Sequence, residues 1–425
     1  MKAKYRARIA DQLLLQKLAG KGAVLIEGPK WCGKTTTAEQ IAKSVIYMSE
    51  PGKTEQNRQL ARLNPALLLK GENPRLIDEW QVAPVLWDSI RFEADHNDGL
   101  GLFILTGSSV PADMSEVIHS GTGRIGWLKM RTMSLWESGE SSGDVSLGNL
   151  FLSPATISGI STADLEKIAF ITCRGGWPLA LNMENKVALD QAFDYIDAVE
   201  KRDISQVDGI SRDSTRTHRL LRSYARHQGA QASYGTIKAD LTANESDTLN
   251  EDTIASYINA LKKLFVIEDS KAWNPNLRSK SAIRTSDTRY FIDPSIATAA
   301  LGLGPEDLMN DLETFGLMFE TLCIRDLRIY SEALNGKVFH FRDRNGLECD
   351  AVIHLRNGSY GLVEIKLGGD DLIEKGADTL KELAGKIDSG RMKQPSFLMV
   401  LTAAGPYAYR REDGIYVVPI GCLKD

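Results

Sequence analysis

The stretch Ala23-Val24-Leu25-Ile26, followed by Gly28-Pro29-Lys30-Trp31-Cys32-Gly33-Lys34-Thr35, constrains this chain more than any other. Four apolar residues in a row read as a strand buried on both faces, and the octet after it fits G-x-x-x-x-G-K-[ST]. A loop of this kind wraps phosphates with backbone N–H groups. Its glycines supply the dihedrals that requires, and the helix behind it offers its positive N-terminus to the anion. Gly28, Pro29, Lys30, Trp31, Cys32, Gly33, Lys34, Thr35 and Thr36 are therefore the expected ATP cradle. Lys34 is expected to reach the β- and γ-phosphates and the Thr35 hydroxyl to ligate Mg²⁺. Cys32 reads as a small filler within the loop.

Around this loop the first 150 residues alternate short apolar runs with helical stretches. Thr35 to Val45 is predicted helical, Arg75-Leu76-Ile77 a second buried strand, and Leu102 to Thr106 a third. Such strands separated by helices predict a parallel α/β sheet covered on both faces. Asp78-Glu79 follows the second strand. A carboxylate at the C-terminal end of a parallel strand can sit beside the cradle, so Asp78 is expected to hold Mg²⁺ and Glu79 to orient and deprotonate the attacking water. Ser108, in Leu105-Thr106-Gly107-Ser108-Ser109, is expected to sense the γ-phosphate; the alternative is an ordinary turn at a strand end. Arg124 reads either as a group that stabilises charge on the transferring phosphoryl or as a solvent-facing arginine.

Ser138 to Gly148 is Ser/Gly-rich and predicts a loop or linker. Residues 160–300 read as mostly helical. Within 215–270, three helices and then a strand-like Phe265 to Trp273 would make a winged helix. A long amphipathic helix is expected from Leu312 to Leu334, then strands Val338–Phe341, Asp350–Leu355 and Tyr360–Leu367. The predicted domains are 1–150, 151–300 and 301–425.

The net charge of −5 gives no general case for nucleic acid, so a DNA partner needs a local patch. Arg216, His218, Arg219, Arg222, Arg226 and His227 crowd one helix, Lys262 and Lys263 end another, and Arg278, Lys280, Arg284 and Arg289 follow. They read equally as a DNA surface, a solvated helix face or a lid over nucleotide. Trp80, Trp87 and Trp177 read as core or interface aromatics. The five cysteines are scattered without CxxC pairing, which disfavours disulfides and zinc and predicts a reducing cytoplasm. No apolar run is long enough for a membrane span, and Met1 to Gln16 lacks the apolar core of a secretory signal.

Taken in order, the phosphate loop, Leu76-Ile77-Asp78-Glu79, Leu105-Thr106-Gly107-Ser108-Ser109 and Gly123-Arg124-Ile125 resemble the AAA-like ATPases of prokaryotes. Arg174-Gly175-Gly176-Trp177-Pro178, Lys201-Arg202-Asp203-Ile204-Ser205, Phe315 to Ile329 and Phe341 to Lys366 look like the link to, and body of, a DUF4143 domain. The resemblance implies an AAA-type core, a winged-helix region and a C-terminal restriction-endonuclease-like α/β domain. It carries over roles for Gly28, Gly33, Lys34, Thr35, Asp78 and Glu79. AAA-like enzymes often need a neighbour's arginine, so a homo-oligomer or another protein partner is an open expectation.

Asp350, Glu364 and Lys366 fit D-x(13)-E-x-K, the set with which endonuclease-like folds bind Mg²⁺ through two carboxylates and activate water with a lysine. A three-residue loop Arg356-Asn357-Gly358 would set 350 opposite 364 and place all three side chains on one face; a two-residue Asn357-Gly358 loop would split the carboxylates. Glu320 on the preceding helix is a candidate added ligand. The rival reading is a solvated sheet face in a degenerate domain. Three functions follow: an ATPase driving a multidomain switch and acting on DNA, a nucleotide-gated scaffold with negligible turnover, and a metal-dependent nuclease.

Overall fold

A computed structural model describes residues 5–97, 99–109, 120–152, 156–245, 248–275 and 285–425. The chain forms two compact units. One comprises Met1–Thr132, Ala198–Asp213 and Tyr257–Val266, the other Met133–Asp197, Ser214–Ser256 and Ile267–Asp425. The middle third of the sequence is thus shared between them.

The first unit is built on a parallel sheet of β1 (Ala23–Glu27), β2 (Ser44–Tyr47), β3 (Arg75–Asp78), β4 (Phe103–Gly107) and β5 (Ile125–Lys129), in the order β2-β3-β4-β1-β5. Alternate residues of β1 feed opposite faces, as a period of two requires. Val24 and Ile26 pack with Leu14, Leu18, Ala38 and Leu128, while Ala23 and Leu25 pack with Leu86, Trp87, Ile90 and Phe103. Both faces are covered, which is why these strands carry no polar alternation. Trp80 and Trp87 lie in the second cluster with ring centroids 5.0 Å apart.

The expected helix from Thr35 to Val45 is cut short. It runs Lys34–Glu39, and the chain then extends into β2. Val45 and Ile46 pair in register with Leu76 and Ile77 of β3. These β-branched residues gain more from the pleated ladder than from prolonging a helix.

In the second unit, a seven-stranded mixed sheet has the order β7-β12-β13-β11-β10-β9-β8. Its strands are β7 (Gly159–Ile160), β8 (Gly336–Arg342), β9 (Glu348–Leu355), β10 (Tyr360–Lys366), β11 (Phe397–Thr402), β12 (Tyr407–Arg410) and β13 (Tyr416–Pro419). The helix Leu312–Ala333 and the helix Asp370–Lys386 pack on it. The Ser/Gly-rich stretch expected to be a loop or linker runs as a loop over 139–144 and then enters a short strand and a helix. β6 (Val145–Ser146) pairs with β14 (Leu423–Lys424), and the Ser141 and Ser146 hydroxyls donate to the carbonyls of Leu423 and Asp425. Hydroxyls that look like loop composition serve here as partners for backbone groups.

The Arg174-Gly175-Gly176-Trp177-Pro178 string also finds a structural use. Asp293, fully buried, accepts from the Gly176 N–H, from Ser295 and from the buried guanidinium of Arg325, while the Trp177 indole donates to Ser295. Gly175 sits at φ +73°, where an added Cβ would lie 2.4 Å from an Asp293 oxygen. In the helical middle region, Ser214–Arg226, Tyr234–Asn244 and Glu251–Lys263 are followed by isolated bridges Ile267–Phe291 and Ser270–Thr288. Residues 276–284, between the two bridged segments, lie outside the described residues. No helix among the described residues is long and apolar enough to cross a membrane.

Candidate nucleotide and carboxylate sites

The loop after β1 turns tightly because two of its residues have no side chain. A Cβ on Gly28 would fall 2.0 Å from the Met130 carbonyl oxygen of the neighbouring strand end. Gly33, at φ +100°, caps the helix Lys34–Glu39 in the left-handed region. Trp31 holds φ +66° without being glycine and is half exposed. Cys32 is fully buried against the Met130 carbonyl, in keeping with a filler. The Lys34 ammonium donates to the carbonyls of Gly28 (2.9 Å) and Pro29 (2.7 Å), so it folds back over its own loop. Lys30 pairs with Asp203 at 2.7 Å, and Thr36 is exposed just beyond Thr35.

Two groups that the sequence did not single out brace this loop. Arg8, 6% exposed, donates to the carbonyls of Cys32 (2.9 Å), Arg131 (2.9 Å) and Thr132 (3.3 Å), tying the cradle to the chain just past β5. Tyr5 meets Thr37 on the cradle helix at 3.0 Å and donates to Asp11 at 2.6 Å. No motif announces either residue; Arg8 acts through backbone carbonyls and Tyr5 through side chains that the fold brings near.

Asp78 ends β3, two strands from β1, and its carboxylate is 7% exposed. Its Oδ1 accepts from Thr35 Oγ1 at 2.6 Å and from Thr106 Oγ1 at 2.7 Å. A hydroxyl from the cradle and a carboxylate from β3 thus converge, a hard-oxygen pair of the kind magnesium selects. Thr106 lay unassigned inside the Leu105–Ser109 string. Glu79 follows in the left-handed region, φ +55°. Its backbone N–H donates to Thr106 Oγ1, and its Oε2 accepts from Ser108 Oγ at 3.1 Å and from the Gln81 amide. Ser108 therefore stands beside Glu79.

Arg124 is not brought to the cradle. It precedes Ile125, which pairs with Ala23, the first residue of β1, whereas the cradle follows Glu27 at the other end. Four residues of strand, about 13 Å, separate the two ends of the sheet. The half-exposed Arg124 pairs instead with Asp95. Adjacency in sequence to a strand said nothing about which end of the sheet the arginine would occupy.

In the second unit, β9 and β10 form a hairpin closed by the three-residue loop, with Gly358 at φ +81°. Ala351 pairs with Val363, which continues to Asp350 opposite Glu364. Lys366 lies 2.7 Å from Glu364 and 3.2 Å from Asp350, and the Ile365 N–H donates to Asp350 at 2.7 Å. Glu364 is 4% exposed, and its Oε1 is buried without a hydrogen-bond partner among the described residues. Burial first, and then the Asp350 charge, push both Glu364 and Glu320 up to about 8. Burial works against the Lys366 charge, but Asp350 and Glu364 outweigh it and hold the ammonium firmly protonated. Tyr290 donates to Glu320. Asp350, Glu364, Lys366, Thr379, Glu382 and Lys386 line a cavity of about 520 Å³. Among the described residues, no three His, Cys, Asp or Glu side chains form a ready metal-ligand group; here an ammonium bridges two carboxylates.

Three arginines of the basic cluster are paired within the chain. Arg226 pairs with Asp240 (2.7 Å) and Glu245 (2.9 Å), Arg222 with Glu245 (3.4 Å), and Arg289 with Asp269 (2.8 Å). The acidic partners come from other segments, so counting cations along one helix overstates its field. Arg278, Lys280 and Arg284 lie outside the described residues.

A family model described as an AAA domain matches residues 20–138, one described as domain of unknown function DUF8612 matches 165–307, and one described as domain of unknown function DUF4143 matches 315–423. No curated protein matches the chain. Among solved structures, a Walker-type ATPase of Pyrococcus abyssi is similar at 16% identity, with 70% of this chain and 97% of that one covered and a TM-score of 0.43. The ORC2 protein of Aeropyrum pernix, in ADPNP–ADP complexes, is similar at 15% identity, with 64% and 90% covered and a TM-score of 0.32.

Proposed function

We propose that the first unit of this chain, which carries the match to an AAA domain at 20–138 and is joined in sequence to a DUF4143 match at 315–423, binds and hydrolyses ATP with magnesium. The observation that carries this reading is the 2.6 Å contact between Thr35 of the cradle and Asp78 of β3. Backbone N–H groups of residues 30–35 and the N-terminus of the cradle helix face the phosphates, Pro29 having no N–H to give. Lys34 exchanges the Gly28 and Pro29 carbonyls for phosphate oxygens. Thr35 and Asp78 would hold magnesium, which would supply charge neutralisation at the phosphates. Glu79 takes a proton from water as the water oxygen bonds the γ-phosphorus and the bond to the ADP oxygen breaks. Hydrolysis resets a switch in the rest of the chain.

Glu79→Gln keeps the shape of the side chain and removes the base. Its expected behaviour is ATP binding at native affinity with phosphate release slowed at least about 100-fold. Phosphate release at the native rate would remove Glu79 from the mechanism. A wild-type chain that binds ATP without steady release would favour the nucleotide-gated scaffold.

A second reading concerns the cavity around Asp350, Glu364 and Lys366, supported by the orphaned buried Oε1 of Glu364. The two carboxylates would hold a divalent cation and Lys366 would steady a phosphodiester of DNA. Cleavage of DNA with Mn²⁺ that Asp350→Ala and Lys366→Ala each abolish supports it. Absence of cleavage on every DNA form tested leaves that domain, at most, a binder.

A further inference from the structure

Glu79 is held in a conformation that a glutamate rarely adopts. Its φ of +55° lies in the left-handed region, where non-glycine residues are rare and cluster at functional sites. The turn immediately after it, Trp80–Val82, carries Gln81 back toward the carboxylate. The Gln81 amide nitrogen donates to Glu79 Oε2, and so does the Ser108 hydroxyl. Both donors land on one oxygen. Oε1 takes no hydrogen bond from a described residue.

Gln81 itself gains little from this placement. Its Oε1 is buried and has no partner among the described residues, so within them half of the amide is desolvated without return. Gly107 makes the seat, because a Cβ there would lie 3.0 Å from the Trp80 indole nitrogen and 3.2 Å from Gln81 Oε1. The residue between Thr106, which serves Asp78, and Ser108, which serves Glu79, thus has to be small for Gln81 to reach its station. A side chain kept in place at the expense of an orphaned oxygen, with its N–H on a carboxylate beside the phosphate cradle, is doing something other than packing.

We propose that Gln81 is a positioning residue for hydrolysis: with Ser108 it fixes Oε2 of Glu79 and so aims Oε1 at the attacking water. The proposal rests on the reading of Glu79 as the base. It assigns Gln81 no contact with nucleotide, so it acts on the chemical step and leaves binding alone.

The test uses the full chain and four variants: Gln81→Ala, Gln81→Met, Glu79→Gln and the double variant Gln81→Ala/Glu79→Gln. Steady-state and single-turnover phosphate release give the rates, and titration with MgATP gives the affinity. Loss of aim is expected to lower kcat about 10- to 100-fold, with KM and MgATP affinity within about twofold of wild type. Gln81→Met fills the same space without a donor and should lose as much as Gln81→Ala. In the Glu79→Gln background, Gln81→Ala should cost nothing more, because both changes act through one carboxylate. If Gln81→Met restores the rate, or if affinity falls in step with kcat, or if the double variant is slower than Glu79→Gln, the role is packing and the proposal is overturned. If Gln81→Ala turns over at the native rate while Glu79→Gln is inactive, this proposal alone falls. If Glu79→Gln turns over at the native rate, the reading of the base falls first and takes this one with it.

Discussion

Asp78→Ala separates the two jobs given to one carboxylate. Oδ1 accepts hydroxyls from Thr35 at 2.6 Å and Thr106 at 2.7 Å. On truncation, the partly exposed Thr35 turns to water, but Thr106 is fully buried and loses its acceptor. A buried hydroxyl left without a partner costs about 1–3 kcal/mol. For a unit of this size each kcal/mol lowers the melting temperature by about 2–4 °C, so a fall of roughly 2–12 °C is expected. The second consequence is independent of the first. With the carboxylate gone, ATP affinity measured without magnesium should hold, while the gain in affinity on adding magnesium should disappear. Calorimetric titration with and without the metal reads the second effect, and a thermal melt reads the first. Asp78→Asn keeps an acceptor for Thr106 and no charge, so it should recover most of the melting temperature and none of the magnesium dependence. An Asp78→Ala chain whose ATP affinity still rises with magnesium as in wild type would refute the shared-metal geometry.

Three other outcomes follow from the same physics. Arg8→Ala removes a buried guanidinium that holds the Cys32, Arg131 and Thr132 carbonyls; ATP affinity should fall by roughly tenfold, about 1.4 kcal/mol, and native affinity would show the brace to be idle. Asp293→Ala leaves Arg325, whose side chain is 1% exposed, buried with Asp326 as its one charged partner among the described residues, and should cost about 3–5 kcal/mol in a denaturant melt. Glu320 and Glu364 have folded values near 8, above the ordinary carboxylate value, so the folded chain binds more protons there than the unfolded one. Their contribution is complete below pH about 4.5 and is lost as pH rises through about 8, with a slope of up to about 1.4 kcal/mol per pH unit for each group. Stability of the second unit should therefore decline from about pH 5 to 8 and level off above, and Glu320→Gln should flatten the decline.

Much of this protein was legible in one dimension because its signals are local. An apolar run before G-x-x-x-x-G-K-T dictates a buried strand, a tight loop and a helix, since backbone dihedrals and side-chain polarity act over a few residues. The same holds for the strand ending in Asp78-Glu79 and for the hairpin around Gly358, whose left-handed turn residue is compatible with either register. The sequence left that register open between two loops; the ladder chose the one that sets Asp350 opposite Glu364. Pairing across space decided the rest. Arg124 falls at the far end of β5 because strand direction, not distance along the chain, sets which loops meet the cradle. Arg222 and Arg226 are neutralised by Asp240 and Glu245 from another segment, so the charge of a patch is a property of the fold. Arg8, Thr106 and Gln81 join the site through hydrogen bonds to groups 2 to 124 residues away. Such bonds need only one donor and one acceptor brought together, and they leave no periodicity or spacing in the sequence from which they could be read.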